Sequence, residues 1–153
     1  MNIHRNTGGK ARTVTLNGRG VEIWIEQGFW LEDAIELTTA VIEYIEEMTT
    51  SALANEKFGI TYVYNMGETM QSVSISAAMG TMRDLVRLQK KGLLDQVNVV
   101  VPNKIVAFLA SAGEIATGLD LHIAKSRRAA LEKMATDLGD ELLTNEEIDA
   151  QDK

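Results

Sequence analysis

The sequence predicts an α/β protein: a four- to five-stranded mixed, mostly parallel sheet with an N-terminal β-hairpin and four helices, in the order ββαβαβαβα. Three observations predict it. Asn17-Gly18 sits between two alternating, β-rich runs, a strong hairpin signal. After the hairpin, short β-rich runs alternate with longer segments of helical period, which implies parallel pairing through right-handed crossovers. The chain is 153 residues long and 45% hydrophobic, enough for one domain with a real core.

The elements follow in order. Residues 1–11 are polar, contain Gly8-Gly9 and show no period, so they read as a flexible N-terminal arm. Residues 12–16 form the first strand. In the second, Val21, Ile23 and Ile25 point one way and Glu22, Trp24 and Glu26 the other. From Leu31 to Met48 the apolar residues recur at helical steps. Gly59 to Tyr64 is the next strand, and Asn65-Met66-Gly67 closes it. A helix is expected over residues 76–91, with Ala78, Met82, Leu85 and Val86 as its apolar stripe, basic residues at its end and Gly92 as its stop. Val97 to Val101 reads as a strand covered on both faces. Pro102 then opens a short helix carrying Ile105, Val106 and Phe108, which Gly113 is expected to weaken or end. A short strand at 119–124 precedes a last helix capped by Ser126 and stopped by Gly139, with Ala130, Leu131, Met134 and Leu138 inward. The domain therefore spans 12–138, and residues 139–153 read as an acidic, mobile tail.

The net charge of −7 is unevenly placed. Residues 137–153 hold seven acids and one base, so the body is nearly neutral. Deleting 140–153 is expected to leave the fold intact. A near-neutral body with an acidic tail is a poor nucleic-acid binder. No apolar run approaches the ~20 residues that span a bilayer, so no membrane insertion is expected. The polar N-terminus lacks the apolar region of a signal peptide. Cysteine is absent, in keeping with a reducing compartment, and a cytoplasmic location is expected. His4 and His122 are far apart in sequence, and no metal site or cofactor is expected. Nucleophile-elbow, Walker and dinucleotide-binding motifs are missing, and the chain is read as non-enzymatic. Charge differs between segments as well. Between Arg19 and Lys57 stand nine acids and no base, while residues 83–133 hold nine bases and five acids. Such a molecule suits self-association, and a homodimer is expected; internal pairing is the alternative.

This element order resembles the SpoIIAA-like fold of the STAS domains, which include the anti-sigma factor antagonists and STAS-like bacterial proteins of undefined role. The hairpin, the long first helix, the serine-bearing loop after Ile60–Tyr64, the strand ending at Pro102 and the closing helix from Ser126-Arg-Arg-Ala-Ala all agree. The resemblance implies a regulatory or protein-interaction domain with a protein partner. In the antagonists, a serine at the start of the second helix is phosphorylated by a partner kinase. Ser76 falls closest to that position in Val73-Ser-Ile-Ser76-Ala-Ala; Ser74 stands where the family has aspartate, and Ala77 replaces its glycine. These departures place the chain with the divergent STAS-like group.

The candidate sites follow. Ser76, with Ser74 and Ser72 beside it, is the candidate phosphorylation, anion or partner site, because a helix N-terminus favours an anion; the plain reading is an N-cap after a strand end. Trp24 is a candidate interface residue if the hairpin lies at the sheet edge; burial under a helix or the N-terminal arm is the alternative. The methionines around the second helix, Met66, Met70, Met79 and Met82, read as gap fillers. The alternative function is an apolar small-molecule or lipid site between sheet and helices, lined by the second helix and Phe108, since the broad resemblance extends to lipid-transfer domains.

Overall fold

Alternation along each strand gives the sheet two unlike faces, and these faces organise the molecule. In a computed structural model of the chain, which describes residues 1–5, 9–26, 30–51, 53, 55–65, 75–100, 111 and 113–150, six strands form one mixed sheet in sequence order. They are β1 (Asn2–Arg5), β2 (Gly9–Thr13), β3 (Gly20–Glu26), β4 (Gly59–Asn65), β5 (Val97–Val100) and β6 (Leu121–Ala124). β1 to β3 pair antiparallel and β3 to β6 pair parallel. The helices are α1 (Trp30–Thr49), α2 (Ile75–Lys90), α3 (described over residues 113–117), α4 (Arg127–Leu138) and α5 (Asn145–Ala150).

Parallel strands taken in sequence order, joined by right-handed crossovers, put their connecting helices on one face. α1 and α2 accordingly share a core with Val21, Ile23, Ile25, Ile60, Tyr62, Val97 and Val99, contributing Leu37, Val41 and Ile45 from α1 and Leu85, Val86 and Leu88 from α2. Edge-to-face contact of Tyr44 with Phe58, centres 6.0 Å apart, closes one end. α4 follows the last strand and crosses the opposite face. Ser126 accepts from the Ala129 N–H at its start, and Gly139 ends it in the left-handed region at φ 64°. Ala130, Leu131, Met134 and Leu138 face inward as their spacing predicts. Gly20 and Gly59 are register partners beneath it. A Cβ on Gly59 would lie 2.6 Å from Met134 Cγ, so this glycine pair is what lets α4 approach the sheet.

Several expectations are corrected. The sheet has six strands rather than four or five, and there are five helices rather than four. The segment read as a loose arm holds β1, the edge strand, and the start of β2; among its described residues only Met1, Ile3 and Ala11 pack on the core, too few to show a period. The hairpin exists, but β2 ends at Thr13 and a six-residue connection follows, with Gly18 at φ 71°. The expected helix over 102–112 lies almost wholly outside the described residues. Its continuation runs through Gly113, where a Cβ would collide with Met82.

The largest correction concerns the acidic C-terminal segment. Residues 141–143 run beside the β2–β3 connection. Leu16 N–H donates to Glu141 O and Leu143 N–H to Val14 O, each at 2.8 Å, and Thr15 forms a β-bridge with Leu142. Arg19 Nη2 donates to Leu138 O at 2.9 Å. α5 begins with a reciprocal cap: Glu147 N–H donates to Thr144 Oγ1 and Thr144 N–H donates to Glu147 Oε2. These bonds hold the Glu147 carboxyl below its usual range, chiefly through the Thr144 backbone. Ile148 is then buried with Val14, Leu131, Met134 and Leu138. The net charge of this segment concealed a single inward isoleucine, Ile148.

Ile148→Ala should therefore cost about 2–4 kcal/mol, as for other large-to-small changes in a core. Deleting 140–153 should cost at least as much by also removing the bridge to Thr15. Urea unfolding of both variants checks this, and unchanged midpoints would return the tail to the detachable role its charge suggests.

Candidate functional site

The face under α4 carries polar side chains where a covered sheet normally carries apolar ones. Register places Arg12, Glu22, Thr61, Asn98 and His122 in one row across β2 to β6. Arg12, Glu22, Thr61 and Asn98 are all buried, Glu22 completely. A buried charge needs a partner and further hydrogen bonds. Glu22 has two cationic partners. Arg127, from the first residue of α4, reaches it through Nε at 2.6 Å and Nη2 at 3.0 Å, a side-on bidentate pair. Arg12 approaches the same carboxylate through Nε and Nη2 at 3.3 Å and donates from Nη1 to Ile148 O at 3.4 Å. One carboxylate thus ties β2, β3 and α4, and through Arg12 reaches α5. Thr61 Oγ1 donates to Met134 Sδ at 3.4 Å, and Asn98 Oδ1 is buried with no hydrogen-bond partner.

One row nearer the strand ends stand Lys10, Trp24, Val63, Val100 and Ala124. Trp24 is half-buried. Lys10 Nζ lies 5.3 Å from the centre of its ring and the Arg127 guanidinium carbon 5.2 Å, both within cation–π range. The indole Nε1 is buried without an acceptor. Trp24 is therefore covered by the N-terminal segment and a helix, the alternative to the exposed interface residue. Sequence reasoning did not single out Lys10, Arg12, Glu22 or Arg127. The available signal was Glu22 itself, a carboxylate inside a strand on the same side as Trp24, paired with an Arg-Arg start to a helix.

These groups lie near the edge where the parallel strands end, the usual place for function in open α/β sheets. β4 ends at Asn65, and α2 begins at Ile75 on the other side of the sheet. Ser76 is the second residue of α2; its backbone is described and its side chain is not. Ser72 and Ser74, with Met66, Met70 and Phe108, lie outside the described residues. The first turn of α2 holds no acid, and Arg87 and Lys90 stand in its last. Among the described residues no cluster of three or more His, Asp or Glu is placed to hold a metal ion, and no helix is long and apolar enough to cross a membrane.

No family model and no curated protein matches this sequence. One solved structure similar to this chain is the crystal structure of the diguanylate cyclase SiaD in complex with its activator SiaC from Pseudomonas aeruginosa. The similarity covers 80% of this chain and 97% of the matched one, at 17% identity and a TM-score of 0.49. That structure is an enzyme–activator complex, and the likeness at this level assigns no role to the present chain.

Tyr62, buried, and Tyr64, partly buried, lie on the apolar face. Tyr62 and Tyr64 stack with centres 6.1 Å apart, and the Tyr62 and Thr38 hydroxyls are 2.5 Å apart. Burial pushes the Tyr62 hydroxyl well above its ordinary range, reinforced by Tyr64 and opposed by the Thr38 bond. Burial pushes Tyr64 up to about 12.

Glu22→Gln removes the buried carboxylate that two guanidinium groups share. Breaking a buried pair in this way costs about 3–5 kcal/mol, and denaturant unfolding should register it. The tyrosines predict the alkaline limb. Unfolded tyrosine ionises near pH 10 while the folded groups keep their protons to about 12 or beyond. The stabilisation is complete below about pH 10 and is lost as the pH rises toward 12 and above, because the unfolded state binds fewer protons there. Unfolding midpoints across that range should fall, and Tyr64→Phe should flatten the fall.

Proposed function

We propose that this chain is a non-enzymatic, STAS-like regulatory or protein-interaction domain that meets a protein partner at the N-terminal end of α2 and is switched there by phosphorylation of Ser76. The observation that carries this reading is the place of Ser76 in the backbone. It stands in the first turn of α2, after a strand of the parallel sheet, in a turn with no acid of its own. Unpaired backbone N–H groups and the positive end of the helix dipole favour a phosphoryl group at such a place. A phosphate there changes the local charge by about −1.5 to −2, enough to repel an acidic partner surface or recruit a basic one.

Self-association belongs to the same proposal. Glu43, Glu46 and Glu47 of α1, and Arg83 and Lys90 of α2 with Lys91 just after it, are exposed, and the two stripes are complementary between copies. A cytoplasmic location is part of this reading. The apolar-ligand alternative has no supporting observation: between the sheet and α1 and α2, the described space is filled by Leu37, Val41, Ile45, Leu85 and Leu88.

Intact-mass and fragment mapping of protein isolated from its own cells should place one phosphate on Ser76. Ser76→Asp and Ser76→Ala should then differ in partner binding. An unmodified Ser76, with equal binding by the two variants, would remove the switch.

A further inference from the structure

We infer that Asn17 is a site of spontaneous deamidation, and that this covalent change undocks residues 140–150 from the body of the domain. The chain holds eight asparagines, and Asn17 is the one followed by glycine. Asparagine is chemically labile, and most so where the next backbone nitrogen is unhindered, as glycine leaves it. The Gly18 nitrogen bonds to Asn17 Cγ and the Cγ–Nδ2 bond breaks. Ammonia leaves with the proton that Gly18 gives up, and a succinimide ring remains. Water then opens the ring at one carbonyl or the other, leaving aspartate or isoaspartate. Asn17 is exposed in the β2–β3 connection. Gly18 stands at φ 71°, and a Cβ on it would lie 2.9 Å from the Tyr44 hydroxyl. The turn therefore requires glycine here, and with it the reactive pair. Gly18 N–H donates to Thr15 O at 3.0 Å, so attack waits on opening of this turn. The folded chain reacts more slowly than the unfolded one.

The docked C-terminal segment begins against this residue. Asn17 N–H donates to Asp140 Oδ1 at 3.4 Å, and Glu141 N–H donates to the same oxygen at 2.8 Å. Asp140 Oδ2 is buried with no hydrogen-bond partner, so this carboxylate is already short of donors. One residue earlier, Leu16 N–H donates to Glu141 O, and Thr15 bridges Leu142. Deamidation brings a third carboxyl group to the junction that Asp140 and Glu141 share, in a chain whose charge is already −7. Isoaspartate does more. It routes the main chain through the side-chain carbon and lengthens it by one methylene between residues 17 and 18. Gly18 is held on both sides, its N–H by Thr15 O and its carbonyl by the Tyr44 hydroxyl at 3.0 Å, and the longer chain cannot keep both bonds and the Glu141 pairing. Release of the segment withdraws Ile148 from Val14, Leu131 and Met134. The aged chain thus presents an apolar patch that the new one covers.

The full chain is held at mildly alkaline pH, folded and, in parallel, unfolded in urea. Trypsin cuts after Arg12 and Arg19 and releases residues 13–19, in which Asn17 is the only side-chain amide. A gain of about 1 Da on that peptide places the change on Asn17, and chromatography separates its aspartate and isoaspartate forms. Reaction in both states, slower in the folded one, is expected. Hydrogen exchange at the Leu16 and Leu143 amides, which bond across the junction, reads docking. Both should exchange about tenfold faster in the modified chain, the scale of losing one such contact. Asn17→Asp supplies the charge without the lengthened backbone. Asn17→Gln, whose ring would have to be six-membered and closes far more slowly, should keep its mass and its protection through the same treatment. Ser76→Ala should age as the parent does, so failure of the switch at Ser76 and failure of this site are distinguishable. No mass gain on residues 13–19 of the folded chain once the unfolded chain has fully reacted would overturn the site. Parental exchange at Leu16 and Leu143 in the modified chain and in Asn17→Asp alike would overturn the undocking.

Discussion

The far side of this molecule depends on one carboxylate. Glu22 is wholly buried on the middle of β3, and its two guanidinium partners come from β2 and α4. A buried ion cluster of this kind gains little stability over apolar residues of the same volume, because desolvation offsets most of the attraction. What it supplies is position. α4 buries a modest apolar stripe on a face crossed by a row of polar side chains, so apolar packing alone would tolerate several placements. The bidentate grip on Arg127 selects one, and the Gly20–Gly59 pair lets Met134 settle into it.

The need for such a device follows from the topology. Sequential parallel strands send the crossover helices to one face, and that face gains a deep core from Val21 to Val99. The other face has only what the chain holds after β6. α4 covers part of it, and the remainder falls to residues 140–150. This is why the C-terminal segment is docked despite its charge: Val14, Leu131 and Met134 have no other cover. The acids of the segment point outward, as Glu146, Glu147 and Asp149 do, while Ile148 points in.

The class of the fold was legible because hydrophobic period is a local signal. Leu31 to Met48, the alternation of Val21 to Glu26, and the Ser126 and Gly139 caps each declare an element within a few residues. The number of strands was not legible. β1 lies at the edge with β2 beside it, and their pairing shows only when Asn2 meets Arg12 and Lys10 meets Trp24. The docking of the tail was half legible. Thr144-Asn-Glu-Glu147 is a capping signature that precedes Ile148, but the summed charge of the segment outweighed it. Of the polar row only Glu22 gave a local signal, since its members are spread from residue 12 to residue 122 and only strand register collects them. The place of Ser76 in the first turn of α2 matched its period; Ser72 and Ser74 stayed beyond what the structure describes.

Helix starts give the strand-end edge of the sheet its character. α1 begins Trp30-Leu-Glu32-Asp33, so its own sequence supplies carboxylates to the positive end of its dipole. α2 and α4 have none in their first turns. Neither helix supplies a carboxylate of its own to its positive end, one on each side of the same sheet. α4 adds to its helix end two cations resting on an indole whose N–H has no acceptor. A molecule that binds partners through apolar area would place its exposed aromatics here. This one covers its tryptophan with lysine and arginine instead.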